Sequence, residues 1–351
     1  MRLTSARFER LSGEADAPVG PSGRTSLVRD GALLILRDEL GNTGYGEASP
    51  FVGTSPDDLD AVCASLAATL PALVDVELPD DLDALSLGDR TPSERFALET
   101  AFLDLIARRR GVPARAVLGG ERAVPINGFA GSAGASTLLA SVRSLLDQGF
   151  GTIKVKVGGG SFEAERSAVA RLRGELGDTW SLRLDANGAW SVDEARANLE
   201  SLAHFDVSLV EQPVAGAELL RLGETAIPWA ADECLVDAGV ARRLLDPEDP
   251  SARVGCAALV LKPALLGGLL ATRRLAAQAA SLRLGVIVTH LFDGPVALAA
   301  CRAVARSLGA TPLACGLAPH PGLAAWPEVP FPPGPWVIGD DAPGLGVDGL
   351  A

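Results

Sequence analysis

The sequence contains 351 residues, of which 48% are hydrophobic and 21% are charged, as in ordinary globular proteins. The formal net charge of −13 would repel a polyanion, which argues against nucleic acid as a partner. The sequence lacks an uninterrupted apolar run of about 18 residues and a signal-peptide core, so we expect a cytoplasmic protein with no membrane span. Five cysteines without CxxC spacing argue against a disulfide framework and a zinc knuckle.

The first third of the chain has the pattern of a small α+β unit. An apolar run at 32–36 and a turn at Gly41-Asn42 predict two strands, whereas the polar stretch Ser12–Thr25 has little periodicity and is expected to be a mobile loop. Apolar residues from Leu98 to Ile106 recur on one helical face, and the helix is expected to end at Gly111.

From about residue 124 the pattern becomes a repeated alternation of short apolar runs and amphipathic segments. Eight runs separated by helical segments imply parallel strands, and a closed barrel is the expected solution, with a doubly wound open sheet as the alternative. The tail after Pro321 is rich in Pro and Gly and is expected to return to the N-terminal unit. The predicted runs are Val124–Phe129, Thr152–Val157, Leu182–Asp185, Val207–Glu211, Ile227–Asp232, Ala257–Lys262, Leu284–Thr289 and about 312–316.

Charged side chains end five successive predicted strands. In a parallel barrel the carboxyl ends of the strands meet on one face, where the active sites of such enzymes are built. The spacing between these charges is about one strand-helix unit. They are Lys156 with Lys154, then Asp185, Glu211, Asp232 and Lys262.

Lys154 and Lys156 share one strand face, because side chains alternate along a strand. The opposite face carries Ile153, Val155 and Val157, which would pack under helices. The lysines are therefore predicted to point into the barrel, although a solvated edge strand would show the same alternation.

Asp185, Glu211 and Asp232 would bring one carboxylate from each of three adjacent strands. Converging carboxylates repel one another, and a hard divalent cation with oxygen ligands relieves that repulsion. We therefore expect Mg²⁺, with Mn²⁺ as the alternative. Each acid on its own could instead be an ordinary helix N-cap.

Weaker candidates lie in the same loops. The glycines at 158–160 could cradle an anion, and Gly267 could let a substrate group approach the backbone. His290 would lie at the barrel mouth, but no acidic partner is evident to orient it.

The ordered motifs resemble the enolase superfamily over nearly the whole chain. The lysines on strands two and six are similar to the muconate-lactonizing subgroup, and the run from Lys262 to Gly268 is similar to the o-succinylbenzoate synthase family. The motifs are Lys154-Val155-Lys156, the run Asp185 to Trp190, Glu211-Gln212-Pro213, Asp232-Glu233, the run Lys262 to Gly268, Gly44 to Pro50 and Pro343 to Asp348.

This resemblance implies an α/β fold: a modified (β/α)7β TIM-type barrel at 111–320, an α+β capping domain at 1–110, and a C-terminal segment at 321–351 that returns to the cap. It implies that Ser12–Thr25 closes over substrate. It also implies that Lys156 is the base, Lys154 its neighbour and Lys262 the lysine across the site, with Asp185, Glu211 and Asp232 as the metal ligands. Further candidates for contact with substrate or with the ligands are Asn187, Glu233, Gly267, Thr289 and His290.

The expected activity is Mg²⁺-dependent dehydration of a cyclohexadiene carboxylate to 2-succinylbenzoate in menaquinone biosynthesis. A small-molecule carboxylate is thus the expected partner, and the sequence does not fix the oligomeric state. The alternatives are an N-acylamino acid racemase, another enzyme of the subgroup and a non-catalytic binding barrel. Members with dipeptide epimerase or muconate cycloisomerase activity carry acids around strand eight, which the stretch 314–318 lacks, and the stretch Thr289–Gly294 also departs from the family pattern.

Overall fold

The N-terminal part of the chain forms a three-stranded antiparallel sheet packed on helices. The computed structural model describes residues 1–20, 25–309, 313–329, 331, 334–338 and 341–350. The predicted turn is confirmed, because the Asp38 carboxylate accepts hydrogen bonds from the backbone N–H groups of Leu40 and Asn42. The sheet has the order β1-β2-β3, with β1 Leu3–Val19, β2 Ser26–Asp38 and β3 Thr43–Ala48, and the helices are α1 Leu59–Thr69, α2 Pro92–Arg110 and α3 Ala114–Val117.

The expectation of a loop at Ser12–Thr25 is wrong for its first part. Residues up to Val19 belong to β1, and Ser12 lies opposite Asp30 of β2 in the antiparallel register. The polar sequence forms a strand because β1 also packs against a distant segment: a Cβ on Gly13 would lie 2.1 Å from the carbonyl oxygen of Ala325. Residues 21–24 lie outside the described part of the chain.

Helix α2 carries the apolar face that the sequence predicts. Leu98, Phe102 and Leu105 are fully buried. The helix ends at Gly111, whose φ of 65° is left-handed, a conformation that glycine adopts without steric cost.

The central element is a seven-stranded parallel sheet in which each strand pairs with its sequence neighbours. This arrangement confirms parallel pairing along the repeat. Its strands are β5 Gly128–Ser132, β6 Thr152–Lys156, β7 Ser181–Asp185, β8 Val207–Glu211, β9 Trp229–Ala231, β10 Cys256–Leu261 and β11 Gly285–Val288. The α-helices between and after them are α4 Leu138–Asp147, α5 Phe162–Leu176, α6 Val192–Leu202, α7 Ala238–Leu245, α8 Leu269–Ser281 and α9 Pro295–Arg306, and a 3-10 helix, Gly216–Arg221, stands between β8 and β9.

Two backbone bridges join the edges of this sheet through one segment. Cys315 bridges to Ile126, just before β5, and Gly316 bridges to Thr289, just after β11. The segment 313–316 thus occupies the place of the predicted eighth strand, of which residue 312 lies outside the described chain. The count (β/α)7β stays a prediction.

The predicted first barrel strand is misplaced. Val124–Pro125 (β4) pairs with Trp336–Val337 (β12) in a separate two-stranded sheet, and the barrel strand begins only at Gly128. Pro125 has no N–H to donate, which suits the edge of a two-stranded sheet better than the interior of the parallel sheet, and the pairing with β12 fixes it there.

The C-terminal tail contacts helix α2 of the N-terminal part. It forms a 3-10 helix at Pro321–Ala325, and the Leu345 N–H donates to the buried carboxylate of Asp104 on α2. Across the described residues, no helix is both long and apolar enough to cross a membrane. All five cysteines have free thiols.

Candidate active site

Strand β6 places its two lysines in the barrel interior. Ile153 and Val155 are fully buried on the opposite face of the strand, whereas Lys154 and Lys156 are only partly buried. The structure therefore places the lysines as the alternation predicts, and β6 is an internal strand rather than a solvated edge.

The carboxylates follow on the next three strands. In the parallel register Lys156 lies beside Asp185, and Asp185 lies beside Glu211. The Lys154 Nζ contacts both acids, at 3.0 Å from Asp185 Oδ2 and 3.1 Å from Glu211 Oε2. Asp185 and Glu211 are buried, and their ion pairs with one lysine show that they converge.

Asp232 follows β9 and pairs with the lysine of β10. The Lys262 Nζ lies 2.6 Å from Asp232 Oδ1 and 3.3 Å from Glu233 Oε1. Glu233 Oε1 also accepts a hydrogen bond from Asn187 Nδ2 at 3.1 Å. The chain of contacts joins the loops after β7, β9 and β10.

None of the three acids is a helix N-cap bonded to the first turn. Asp185 Oδ1 accepts a hydrogen bond from the Asn187 N–H within its own loop. Asp232 precedes a short 3-10 helix, but its side chain makes no capping bond to that helix. The capping interpretation of these acids therefore does not hold.

The three lysines differ in their electrostatics. Burial opposes charge on all of them, but Asp185 and Glu211 raise the pKa of Lys154, and Asp232 and Glu233 raise the pKa of Lys262. For Lys156, burial together with the positive charges of Lys154 and Lys262 lowers the pKa. Its hydrogen bond goes to the backbone carbonyl of Gly20 at 3.3 Å. Lys156 is therefore the lysine best suited to lose its proton.

These three are the only lysines of the chain, since every other basic side chain apart from the histidines is arginine. Arginine stays charged in proteins, whereas a buried lysine shifts its pKa readily. The chain thus keeps lysine only where the strand ends meet the carboxylates.

The donor set fits a hard divalent cation. Asp185, Glu211 and Asp232 supply buried oxygen ligands, and two further oxygens, Asn187 Oδ1 and Glu233 Oε2, are buried without a hydrogen-bond partner. Within the described residues, no three Asp, Glu, His or Cys side chains are arranged as a ready metal cage. The lysine ammonium groups lie against the carboxylates, so a cation would have to share these oxygens with them.

The remaining predicted candidates serve other contacts. Thr289 Oγ1 donates to the carbonyl of Gly316 at 3.0 Å, and so supports the backbone bridge between Thr289 and the segment 313–316. The His290 Nδ1 accepts a hydrogen bond from the Phe292 N–H, and its ring stacks on His320 at 4.3 Å between centroids. Burial, the neighbouring His320 and the charge of Lys154 lower the pKa of His290, so it is neutral at pH 7.

The glycine-rich loops bind groups of the protein itself. The N–H groups of residues 158–160 all donate to the carboxylate of Glu165, so the expected anion is a side chain of α5. Gly268 has no room for a Cβ because the Glu99 carboxylate of α2 lies there, at 2.4 Å. Neighbouring Gly267 has φ +85° and no atom closer than 4.0 Å to a built Cβ, and its contact with substrate stays a prediction.

Arg183 is a site residue that the sequence reasoning missed. Its Nη1 donates to Glu211 Oε1 at 3.4 Å and to the carbonyl of Ala314 at 2.9 Å, from inside the barrel. It could have been found, since it stands two residues before Asp185 and therefore shares its strand face.

Comparison with known proteins identifies the family. Residues 137–349 match the family model described as Enolase C-terminal domain-like. The chain belongs to the enolase superfamily. Members of that superfamily generally use Mg²⁺ with a lysine or histidine base.

Relatives within the superfamily carry different activity names. An o-succinylbenzoate synthase of Thermobifida fusca strain YX is 35% identical over 88% of this chain and 80% of its own length. An L-Ala-D/L-Glu epimerase of Francisella tularensis subsp. novicida is 25% identical over 80% of this chain and 81% of its own length. The solved L-Ala-D/L-Glu epimerase of Bacillus subtilis shares the fold, with a TM-score of 0.84, 22% identity and full coverage of both chains.

Proposed function

We propose that this protein is an o-succinylbenzoate synthase, which dehydrates 2-succinyl-6-hydroxy-2,4-cyclohexadiene-1-carboxylate to 2-succinylbenzoate. The observation that carries the proposal is the contrast between the lysines: Lys156 has a lowered pKa, while Lys154 and Lys262 are paired with carboxylates. A neutral amine next to fixed positive charges can abstract a proton and stabilise the anion that forms.

The proton moves to and from Lys156 in this proposal. The Lys156 Nζ takes the proton from the carbon next to the substrate carboxylate, and the electron pair of that C–H bond enters the enolate. The Lys262 ammonium group stabilises the enolate charge. The enolate then expels the hydroxyl group, to which Lys156 returns the proton, so that water leaves and the ring becomes aromatic.

The proposed metal ligands are Asp185, Glu211 and Asp232. A Mg²⁺ ion held there, with Mn²⁺ as the alternative, would neutralise negative charge on the substrate carboxylate. Arg183 beneath Glu211 and Lys154 between two of the acids would hold the carboxylates in place before substrate binds.

Two observations favour the synthase over an epimerase. The synthase of Thermobifida fusca is 35% identical over 88% of this chain, whereas the epimerase relatives are 25–33% identical over 53–80% of it. The stretch 314–318, which spans the end of the predicted eighth strand, contains no acid that could bind the amino group of a dipeptide. Leu317 in this segment is fully buried, and Ala314 is buried with its carbonyl bonded to Arg183.

N-acylamino acid racemisation is the second candidate. Lys156 lies at the end of β6 and Lys262 follows β10, so the two lysines flank the strands β7 to β9 that carry the three acids. Racemisation needs Lys262 to deliver a proton, whereas dehydration needs only its charge. The ion pair of Lys262 with Asp232, at 2.6 Å, raises its pKa and favours the charge role.

We propose that the enzyme acts in the cytoplasm, in menaquinone biosynthesis, with a small carboxylate as its partner. The proposed domains are the capping domain at 1–110, the barrel at 111–320 and the C-terminal segment at 321–351.

Steady-state kinetics on both substrate classes tests the proposal. With Mg²⁺ present, we expect efficient conversion of the cyclohexadiene carboxylate and slower racemisation of N-succinyl amino acids. Efficient racemisation without detectable dehydration would reject the synthase assignment. Full activity after exhaustive chelation would reject the metal site.

A further inference from the structure

Gln212 lies between the second and third proposed metal ligands and is almost fully buried. It directly follows Glu211, and its backbone φ of 38° is left-handed, which is rare and costly for a residue other than glycine. Such a conformation persists only where the surrounding structure holds it. The bonds around Gln212 show what holds it.

The backbone of Gln212 joins the loops after three consecutive strands. Its carbonyl accepts a hydrogen bond from the Gly188 N–H at 2.6 Å, in the loop that follows Asp185. Its own N–H donates to the carbonyl of Ala230 at 2.8 Å, on β9. One peptide therefore connects the ends of β7, β8 and β9.

The side chain of Gln212 binds the turn that carries the third acid. Its Oε1 accepts hydrogen bonds from the backbone N–H groups of Asp232 at 2.8 Å and Cys234 at 3.3 Å. Its Nε2 donates to the carbonyl of Val214 at 2.7 Å. All three bonds are buried, so the amide is fixed in one orientation.

The turn at Asp232 depends on an outside acceptor. Asp232 has φ −128° and ψ −99°, outside the regular helix and strand regions, and its N–H bonds to a side chain rather than to a strand. Without that acceptor, a buried N–H would be left unpaired next to Asp232 and Glu233. The direction of the Asp232 carboxylate therefore depends on the Gln212 amide.

We infer that Gln212 is a positioning residue: it clamps the turn Asp232–Cys234 to the end of β8 and so sets the separation of the Glu211 and Asp232 carboxylates. This inference rests on the proposed role of those acids as metal ligands. Both polar atoms of the Gln212 side chain are already occupied by these three hydrogen bonds within the protein. Loss of such a supporting bond at a metal site typically costs about 10- to 100-fold in affinity.

Three variants test the clamp. Gln212→Met keeps the length of the side chain but removes all three bonds. Gln212→Glu keeps an acceptor for the two N–H groups and loses the donor to Val214. The control is Thr272→Val, which removes an equally buried hydrogen bond, Thr272 Oγ1 to the Gly268 carbonyl at 2.8 Å, far from the acids in sequence.

The readouts are calorimetric Mg²⁺ binding, kcat on the cyclohexadiene carboxylate, and hydrogen exchange of the peptide that contains residues 229–236. For Gln212→Met we expect at least about tenfold weaker Mg²⁺ binding, a lower kcat and faster exchange of that peptide. Gln212→Glu should bind Mg²⁺ within about threefold of wild type, because the acceptor is kept. Thr272→Val should lower the melting temperature without changing Mg²⁺ affinity.

Two results would contradict the positioning role of Gln212. One is Mg²⁺ affinity in Gln212→Met equal to that of wild type. The other is a loss in Gln212→Glu of tenfold or more, which is decisive even if the Met variant does not fold. If wild type binds no Mg²⁺, the proposed metal site fails instead, and unchanged exchange of residues 229–236 in a folded Gln212 variant would still reject the clamp.

Discussion

Two groups of buried acids lie beside the barrel mouth and differ in what binds them. The lysine-paired carboxylates are Asp185, Glu211 and Asp232, which contact the ammonium groups of Lys154 and Lys262. The amide-bound carboxylates are Glu47 and Asp293. Glu47 accepts hydrogen bonds from Gly294 N at 2.6 Å and Ala297 N at 3.1 Å, and Asp293 accepts one from Leu291 N at 2.9 Å.

The difference separates the proposed active site from a contact that joins two structural elements. Backbone N–H groups are fixed, and through two of them Glu47 ties strand β3 to the start of α9, with one further hydrogen bond from the Ser49 hydroxyl at 2.5 Å. Ammonium groups lie on flexible side chains, and their bonds to the lysine-paired carboxylates can be shared with a cation or a substrate. Both groups are almost fully buried, so the bonding partners and not the burial distinguish the proposed metal ligands from Glu47 and Asp293.

The largest expected effect comes from removal of the base. Lys156→Ala should lower kcat for dehydration by at least about 10³-fold, because the other two lysines are paired with carboxylates and have raised pKa values. The measurement is product formation by the purified variant, with circular dichroism to confirm that it is folded. Activity within tenfold of wild type would remove Lys156 from the mechanism.

A matched pair of variants compares the two groups of acids directly. Asp232→Asn should weaken Mg²⁺ binding at least about 100-fold, whereas Asp293→Asn should leave it unchanged, since an amide oxygen can still accept the Leu291 N–H. Calorimetric titration of both variants measures the contrast. Equal affinities would show that the partners of these acids do not determine their roles.

Lys262→Ala should have the next largest effect. Loss of its charge removes stabilisation of the enolate worth about 3 kcal/mol, or about 100-fold in kcat. The variant also leaves Asp232 without its ion pair at 2.6 Å. An unchanged kcat with a raised KM would instead show that Lys262 only binds substrate.

Sequence patterns were sufficient to predict that the lysines and the lysine-paired carboxylates converge, and insufficient to predict the contacts of Glu47 and Asp293. The alternation at Lys154 and Lys156 and the regular spacing of the acids follow from the strand repeat, so the sequence carries them locally. The bond from Glu47 to Gly294 joins residues 247 positions apart. Nothing in the sequence around either residue predicts that contact.

The same physical reason explains the errors in the fold. Ser12–Val19 is a strand because it packs on the distant 3-10 helix Pro321–Ala325, and β4 pairs with β12 near the end of the chain. Long-range packing thus overrides the local pattern at both places. The N–H groups of residues 158–160 bind an anion, but that anion is the carboxylate of Glu165 on α5, which the local sequence pattern does not predict.

The smallest effect concerns stability at the contact through which Glu47 joins β3 to α9. Glu47→Gln should lower the free energy of unfolding by about 2 kcal/mol, because its NH₂ group would face a backbone donor. Burial and the neighbouring Asp293 raise the pKa of Glu47 from 4.5 to about 7. The folded protein therefore holds this proton more tightly than the unfolded chain, and its contribution to stability is lost as pH rises through about 7.

Urea unfolding between pH 5 and pH 8 measures this contribution. Wild type should lose stability over that range, and Glu47→Gln should lose less, with Asp293 retaining part of the dependence because burial also raises its pKa. Identical slopes in the two proteins would contradict the assignment to Glu47. Mg²⁺ affinity should be unchanged in this variant.

Lys156 is the one lysine of the three whose pKa is lowered, and the three lysines can be observed individually. Because the chain has only these three, labelling with ¹³C-lysine gives three side-chain signals, and the Lys156→Ala variant assigns one of them. We predict that an NMR pH titration shows a pKa below 10.5 for Lys156 and above 10.5 for Lys154 and Lys262. A pKa for Lys156 at or above that of the other two would contradict the account.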